Sequence, residues 1–154
     1  MTPDLEKSII DKYPHLFANI GQKGSPMKFG LAVGDGWAVI ISTMCWILNQ
    51  KDTAKTFRFD QIKEKFGLLR VYHSGGSEYM AGVVRMAEDI SGSICEVCGQ
   101  PGKQRKGGWI KTICDRCHAP PADIVARLRN WRCGDDAVIL IDDAATEIER
   151  LRRL

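Results

Sequence analysis

The chain has 154 residues, 44% of them hydrophobic and 27% charged, a balance that suits one folded domain and excludes a disordered or collagen-like polymer. It has no run approaching the ~18 apolar residues of a membrane span, since the longest candidate, residues 37–48, is too short and includes Ser42 and Thr43. A net charge of +3 permits contact with nucleic acid without requiring it.

The opening residues, Met1-Thr-Pro-Asp-Leu-Glu-Lys-Ser8, carry both signs of charge before any apolar run, unlike a secretory signal, so a cytoplasmic protein is expected. In that reducing compartment six cysteines read first as metal ligands or packed thiols and only then as disulfides. Thr2-Pro3-Asp4 predicts a helix start, with the Thr2 hydroxyl as cap and proline in the first turn, and Pro14 ends the run. From His15 to Gly34, glycines and Pro26 break any period, which leaves loop and a brief strand around Met27 to Val33. After Asp35-Gly36, the residues Trp37, Ile40, Ile41, Met44, Ile47 and Leu48 recur at helical spacing and predict the main core helix, with Cys45 as a packed thiol.

Thr56 to His73 is rich in Phe, Ile, Leu, Val and Tyr, and predicts two antiparallel strands turning at Gly67. Ser74-Gly75-Gly76-Ser77 then reads as a loop into a helix cap, with Tyr79, Val83, Val84, Ala87 and Ile90 as the apolar face. These glycines lack the Lys-Ser/Thr of a phosphate loop, and His15 and His73 have no evident partner, so structural roles are expected for both. Near the end, Pro120-Pro121-Ala122-Asp123 starts a short helix to about Trp131, and Gly134 stops it. Val138 to Ile141 reads either as a strand before a helix or as the start of one long helix with Ile141, Ala145, Ile148 and Leu151 on one side, and a helical tail is favoured.

The segment that carries chemistry is Cys95-Glu-Val-Cys98 followed, after fifteen residues, by Cys114-Asp-Arg-Cys117. Two residues between paired thiolates let a tight turn present both sulfurs to one ion, and four cysteines fill tetrahedral zinc, leaving no open position to activate water. One structural zinc ion is therefore expected on Cys95, Cys98, Cys114 and Cys117. Gly99 follows the first pair, where positive φ is often needed. Between the pairs, a basic turn-like stretch leads into the alternating Trp109-Ile-Lys-Thr-Ile113, the pattern of a zinc ribbon. Apparent zinc affinity of ~10–16 kcal/mol would hold together a segment too small for its own core. His118 is read as a neighbour of the ligands, with substitution for Cys117 as its alternative role, and Cys133 as a free or packed thiol.

The expected fold is α+β: helices packed on a small antiparallel hairpin or sheet (1–93), an appended four-cysteine zinc ribbon (94–118) and a helical C-terminal segment (119–154). Lys103, Arg105, Lys106, Trp109 and Lys111 lie on the expected ribbon hairpin, where cations would meet phosphate and the indole would stack. Cys117-His118 also looks like the end of an HNH endonuclease site, but the interval between the cysteine pairs contains no histidine or asparagine to complete it. A zinc deaminase would need a His-x-Glu ahead of Pro-Cys-x-x-Cys, which is lacking.

The features Gly34-Asp-Gly-Trp37, Lys63-Glu-Lys-Phe-Gly67 with Leu69-Arg70, Gly75-Gly76, and Trp109-Ile-Lys-Thr-Ile-Cys-Asp115 resemble those of a group of small uncharacterised phage and prophage proteins. The resemblance spans roughly residues 10 to 118. Members often end the last knuckle in Cys-Asp-Glu-His, whereas this chain has Cys114-Asp-Arg-Cys117, so the implied fourth ligand is cysteine in place of histidine. It implies a bacterial host cytoplasm as the setting and supplies no catalytic residue. Three function classes stay open: a non-enzymatic factor binding a host or defence protein, which is preferred; a weak, sequence-independent nucleic-acid-binding module; and an enzyme of unrecognised type.

Overall fold

The computed structural model describes residues 1–118; the helix expected from Pro120 to Trp131, Cys133 and the expected tail lie outside the described residues. Pro3 in the first turn, the early acids Asp4 and Glu6 and the late Lys12 suit the dipole of α1 (Pro3–Lys12). Thr2 occupies the cap position, but its hydroxyl makes no capping bond. Its backbone N–H is instead drawn to Asp35 Oδ1, 2.7 Å away, so a distant turn holds the entry to this helix. The loop that follows contains a short 3-10 turn, Pro26–Phe29, capped by Ser25, and then β1, which is only Leu31–Ala32.

A second 3-10 turn, Asp35–Trp37, leads into α2 (Ala38–Lys51). Ile40, Ile41, Met44, Cys45 and Leu48 are buried as the helical spacing predicted, while Ile47 is half-buried. Burial pushes the Cys45 thiol far up, which makes it an inert packing group. Asp52 ends this helix, and its buried carboxylate accepts the N–H groups of Thr56 and Phe57, each at 2.9 Å. Burial alone would raise this carboxyl, but those donors and the Thr56 hydroxyl outweigh it and leave it below the usual range. His15 Nε2 stands 3.9 Å from the same carboxylate, and desolvation followed by Lys55 lowers its pKa.

The expected hairpin is present as β2 (Arg58–Lys65) and β3 (Leu68–Ser74), in register from Lys65↔Leu68 to Arg58↔Ser74 with a bulge between Phe59 and Gln61. Its two-residue turn has positive φ at both Phe66 (55°) and Gly67 (75°), the twist that right-handed strands require. β1 pairs in parallel with β2 through Leu31↔Ile62, giving a three-stranded sheet in the order β1-β2-β3. A two-residue strand has no period to read, so the parallel edge was not legible beforehand.

Ser77 caps α3 (Glu78–Ser91) by accepting the Met80 N–H at 3.4 Å. Its buried stripe is Met80, Val83, Val84 and Ala87. Tyr79 and Ile90, expected on that face, are instead 56% and 41% exposed. At ~100° per residue they lie about 80–100° round the helix from Met80, in phase with exposed Met86. The two helices and the sheet enclose one core in which Trp37, Phe57, Phe59, Ile62 and Leu69 are fully buried.

A second antiparallel pair, β4 (Lys103–Arg105) with β5 (Lys111–Ile113), precedes the single turn α4 (Asp115–His118). Among the described residues the architecture is thus mixed α/β, four helices with small sheets, and residues Met1–His118 form one compact unit. No helix of the described residues is long and apolar enough to cross a membrane.

Candidate metal centre

The four sulfurs of Cys95, Cys98, Cys114 and Cys117 lie within 4.8 Å of one another. Cys98 and Cys114 are the pair at 3.6 Å, close to the ~3.8 Å edge of a tetrahedron with Zn–S-type bonds of ~2.3 Å. No pair is bonded as a disulfide. By residue Cys95 is buried and the other three are half-buried, so the cluster sits at the surface with one side sealed. The set fits one soft or borderline metal ion, with no ligand position left over for water.

Each pair is shaped by its own backbone. In the first, Gly99 N–H donates to Cys95 O at 2.9 Å, Cys95 N–H donates to Gln100 O at 2.7 Å, and Gly99 takes the positive φ (73°) that closes the turn. In the second, Cys117 N–H points at Cys114 Sγ (3.4 Å) and His118 N–H donates to Cys114 O (2.9 Å). His118 itself is exposed and stands outside the sulfur cluster.

The first pair rests on the turn Gly34-Asp-Gly-Trp37. Gly36 N–H donates to Glu96 O (2.8 Å), Gly34 N–H to Glu96 Oε1 (3.1 Å), and the Trp37 indole N–H to Ile94 O (2.8 Å). The approach is so close that a Cβ on Gly36 would stand 2.1 Å from Cys95 O, and one on Gly34 would stand 2.3 Å from Glu96 O. The tryptophan and two glycines, distant in sequence from the cysteines, therefore form the seat of the Cys95–Cys98 turn.

The second pair is tied to the tip of the β2–β3 hairpin. Buried Thr112 donates its hydroxyl to Gly67 O (2.5 Å), Gln104 Nε2 donates to Phe66 O (3.0 Å), and Thr112 O accepts the Glu96 N–H (2.9 Å). The last bond joins the two cysteine arms directly. Glu96 and Thr112 were not singled out in the sequence. A glutamate inside a Cys-x-x-Cys turn reads as solvated, and only the fold buries it.

The electrostatics point the same way. The Gln100 N–H pulls the Cys98 thiol down to about 6, while the Cys114 sulfur beside Cys117 pushes that thiol up to about 12. Four sulfurs at this spacing cannot all carry charge unaided, and a divalent cation removes the conflict by making each thiolate favourable. Arg116, against the Cys98 sulfur, is held all the more firmly protonated.

The five residues expected to meet nucleic acid are not equivalent. Arg105 is largely covered; its guanidinium pairs with Asp115 and donates to Ile113 O (3.3 Å), and Lys103 Nζ lies 3.6 Å from the same carboxylate. Arg105 in turn is the main cause of the lowered Asp115 pKa. Lys106, Trp109 and Lys111 are exposed, Trp109 by 72%. No family model, curated protein or solved structure matches the chain.

Proposed function

We propose that this is a non-enzymatic binding protein in which one structural zinc ion closes a four-cysteine ribbon, and that it works through protein–protein contacts. The setting that suits it is that of a phage or prophage accessory factor directed at a host or defence component. What supports the zinc reading is the donor set: four cysteine sulfurs at tetrahedral spacing, with no water position and no histidine in the cluster.

The observation that carries the binding reading is an uncharged groove between α2 and α3. It has a volume of about 320 Å³, and Val39, Thr43, Met44, Ile47, Met86 and Ile90 are among the residues that line it. No charged side chain lines it among the described residues. From Ala38 to Gln50, α2 carries no charge at all, and its outward stripe Val39, Thr43, Trp46, Gln50 leaves Val39 76% and Trp46 55% exposed. A helix without charge on its outward face that also exposes a valine and a tryptophan there calls for cover on that face.

Both walls are 14-residue helices, ~21 Å long, which suits an amphipathic partner helix of three to four turns laying apolar anchors at i, i+4 and i+7 between them. Met44 and Met86 supply walls that repack around such anchors. Gly36 and Gly99, at the metal-ligating turn and its seat, line the same groove, so the ion supports the binding face.

The test is capture of a partner by the full chain, followed by titration of the purified partner in a calorimeter. Val39→Asp and Met86→Glu, both at exposed positions, should weaken binding at least tenfold without lowering the melting temperature, and wild-type binding should show a negative heat-capacity change. A captured protein that binds both variants as tightly as wild type would overturn the groove as the binding face.

A further inference from the structure

We infer that a second face of the molecule, a cleft between the tip of the β2–β3 hairpin and the loop before β5, binds single-stranded nucleic acid by stacking bases on Phe66 and Trp109. The cleft has a volume of about 550 Å³ and is lined by Lys63, Lys65, Phe66, Trp109 and the backbone around Gly107 and Gly108. It shares no lining residue with the α2–α3 groove, so the inference stands independently of the protein-partner reading.

Three features of this face work against the fold. Phe66 sits at φ 55°, a conformation in which asparagine or glycine is at ease and a bulky aromatic is strained, yet its ring is 66% exposed and fills no core position. A strained residue whose side chain is mostly exposed points to use outside the fold. Trp109 is 72% exposed on the opposite wall. Lys63 pairs directly across the ladder with Arg70, and like charges in that position repel unless an anion lies between them.

The chemistry of the face suits one class of ligand. Lys63 Nζ stands 5.2 Å from the centre of the Tyr72 ring, and Lys65 Nζ stands 5.5 Å from that of Phe66, so cations and π faces alternate along the surface. Glu64 also lines the cleft, but its Oε1 accepts the Gly67 N–H at 2.6 Å and serves the turn. Its charge remains, but Lys63, Lys65 and the cross-strand Arg70 outnumber it, so the face is net positive. Phosphates would meet Lys63, Lys65 and Arg70 while two bases stack on the flanking rings, the combination of electrostatic track and aromatic platform that single strands require. Duplex DNA hides the base faces and cannot use Phe66 and Trp109 in this way.

The test uses the full chain and a fluorescein-labelled 12-nucleotide oligothymidylate, followed by fluorescence anisotropy from 50 to 300 mM salt. Three phosphate contacts at ~0.7 each predict a slope of about −2 for log K against log salt, and combined Lys65→Ala and Arg70→Ala should flatten it to about −0.7. Trp109→Ala and Phe66→Asn should each lower affinity by about tenfold or more at constant salt. Asparagine suits the positive φ, so Phe66→Asn should melt no lower than wild type, which separates loss of the ring from loss of the fold. Absence of binding at 50 mM salt would overturn the inference. So would affinity unchanged in both ring variants, or equal affinity for a 12-base-pair duplex or for heparin, a polyanion without bases.

Discussion

Replacing Gly36 by alanine tests how the Cys95–Cys98 turn is held. The added Cβ would meet Cys95 O at 2.1 Å, Gly99 N at 2.6 Å and the Glu96 carbonyl carbon at 2.7 Å, all of them backbone atoms that cannot rotate away. Contacts involving carbon are optimal at ~3.5–4.0 Å, so the turn bearing Cys95 and Cys98 must retreat by about 1 Å or more. That retreat breaks the Gly36 N–H bond to Glu96 O and pulls Ile94 O away from the Trp37 indole, both now 2.8 Å. Each buried donor left unsatisfied costs ~1–3 kcal/mol, giving roughly 2–6 kcal/mol in all. For a unit of this size that is a fall in melting temperature of about 10 °C or more. Because Cys95 moves with the turn, zinc should also pass more readily to a competing chelator. The control is Gly107→Ala, where no atom lies within 4 Å of the new Cβ, and stability should stay within ~0.5 kcal/mol. If Gly36→Ala melted with the control and released metal at the wild-type chelator concentration, the turn would not be seated on residues 34–37.

Three further predictions follow from single contacts. Elemental analysis should find about one zinc per chain, and Cys98→Ser should lose it and melt lower; a fully metal-free preparation with unchanged melting would remove the structural role of the ion. Asp52→Asn turns a donor toward the Phe57 N–H in place of an acceptor, or toward the Thr56 N–H if the amide is flipped, and urea titration should show a loss of about 2–3 kcal/mol at pH 7. Because the folded Asp52 carboxyl lies below its unfolded value near ~3.9, its stabilisation is present above that pH and is lost as pH falls through the lower folded value; Asp52→Asn should therefore show a shallower acid decline. Thr112→Val keeps the shape but leaves Gly67 O without its donor, and should cost about 1–2 kcal/mol, whereas equal stability would mean the hairpin tip is not tied through this hydroxyl.

Elements whose cause is local were legible from residue order alone. The Cys-x-x-Cys spacing, the run from Trp37 to Leu48 at helical period, the turn at Gly67 and the Ser77 cap each depend on residues within a few positions of one another, and the structure places all four where the pattern did. The phase of α3 was read one stripe too wide: Val83, Val84 and Ala87 belong to it, but which neighbours of the stripe are covered depends on what packs beside the helix, and Tyr79 and Ile90 are left about half covered.

What only the tertiary structure decided are the relations between distant segments. The sequence carries Gly34-Asp-Gly-Trp37 plainly, but that its glycines are small because the Cys95–Cys98 turn lies against them is visible only once about sixty residues of chain have folded back. β1 falls within the brief strand expected around Met27 to Val33, but its parallel pairing is set by Ile62 beside it, and Arg105 is a buttress for Asp115 because the register of β4 with β5 brings it there. The groove between α2 and α3 and the cleft between Phe66 and Trp109 are likewise each bounded by segments far apart in the chain. Short-range periodicity and covalent spacing act through neighbouring residues and can be read directly, whereas burial, seating and clefts are set by contacts whose partners the chain order does not name.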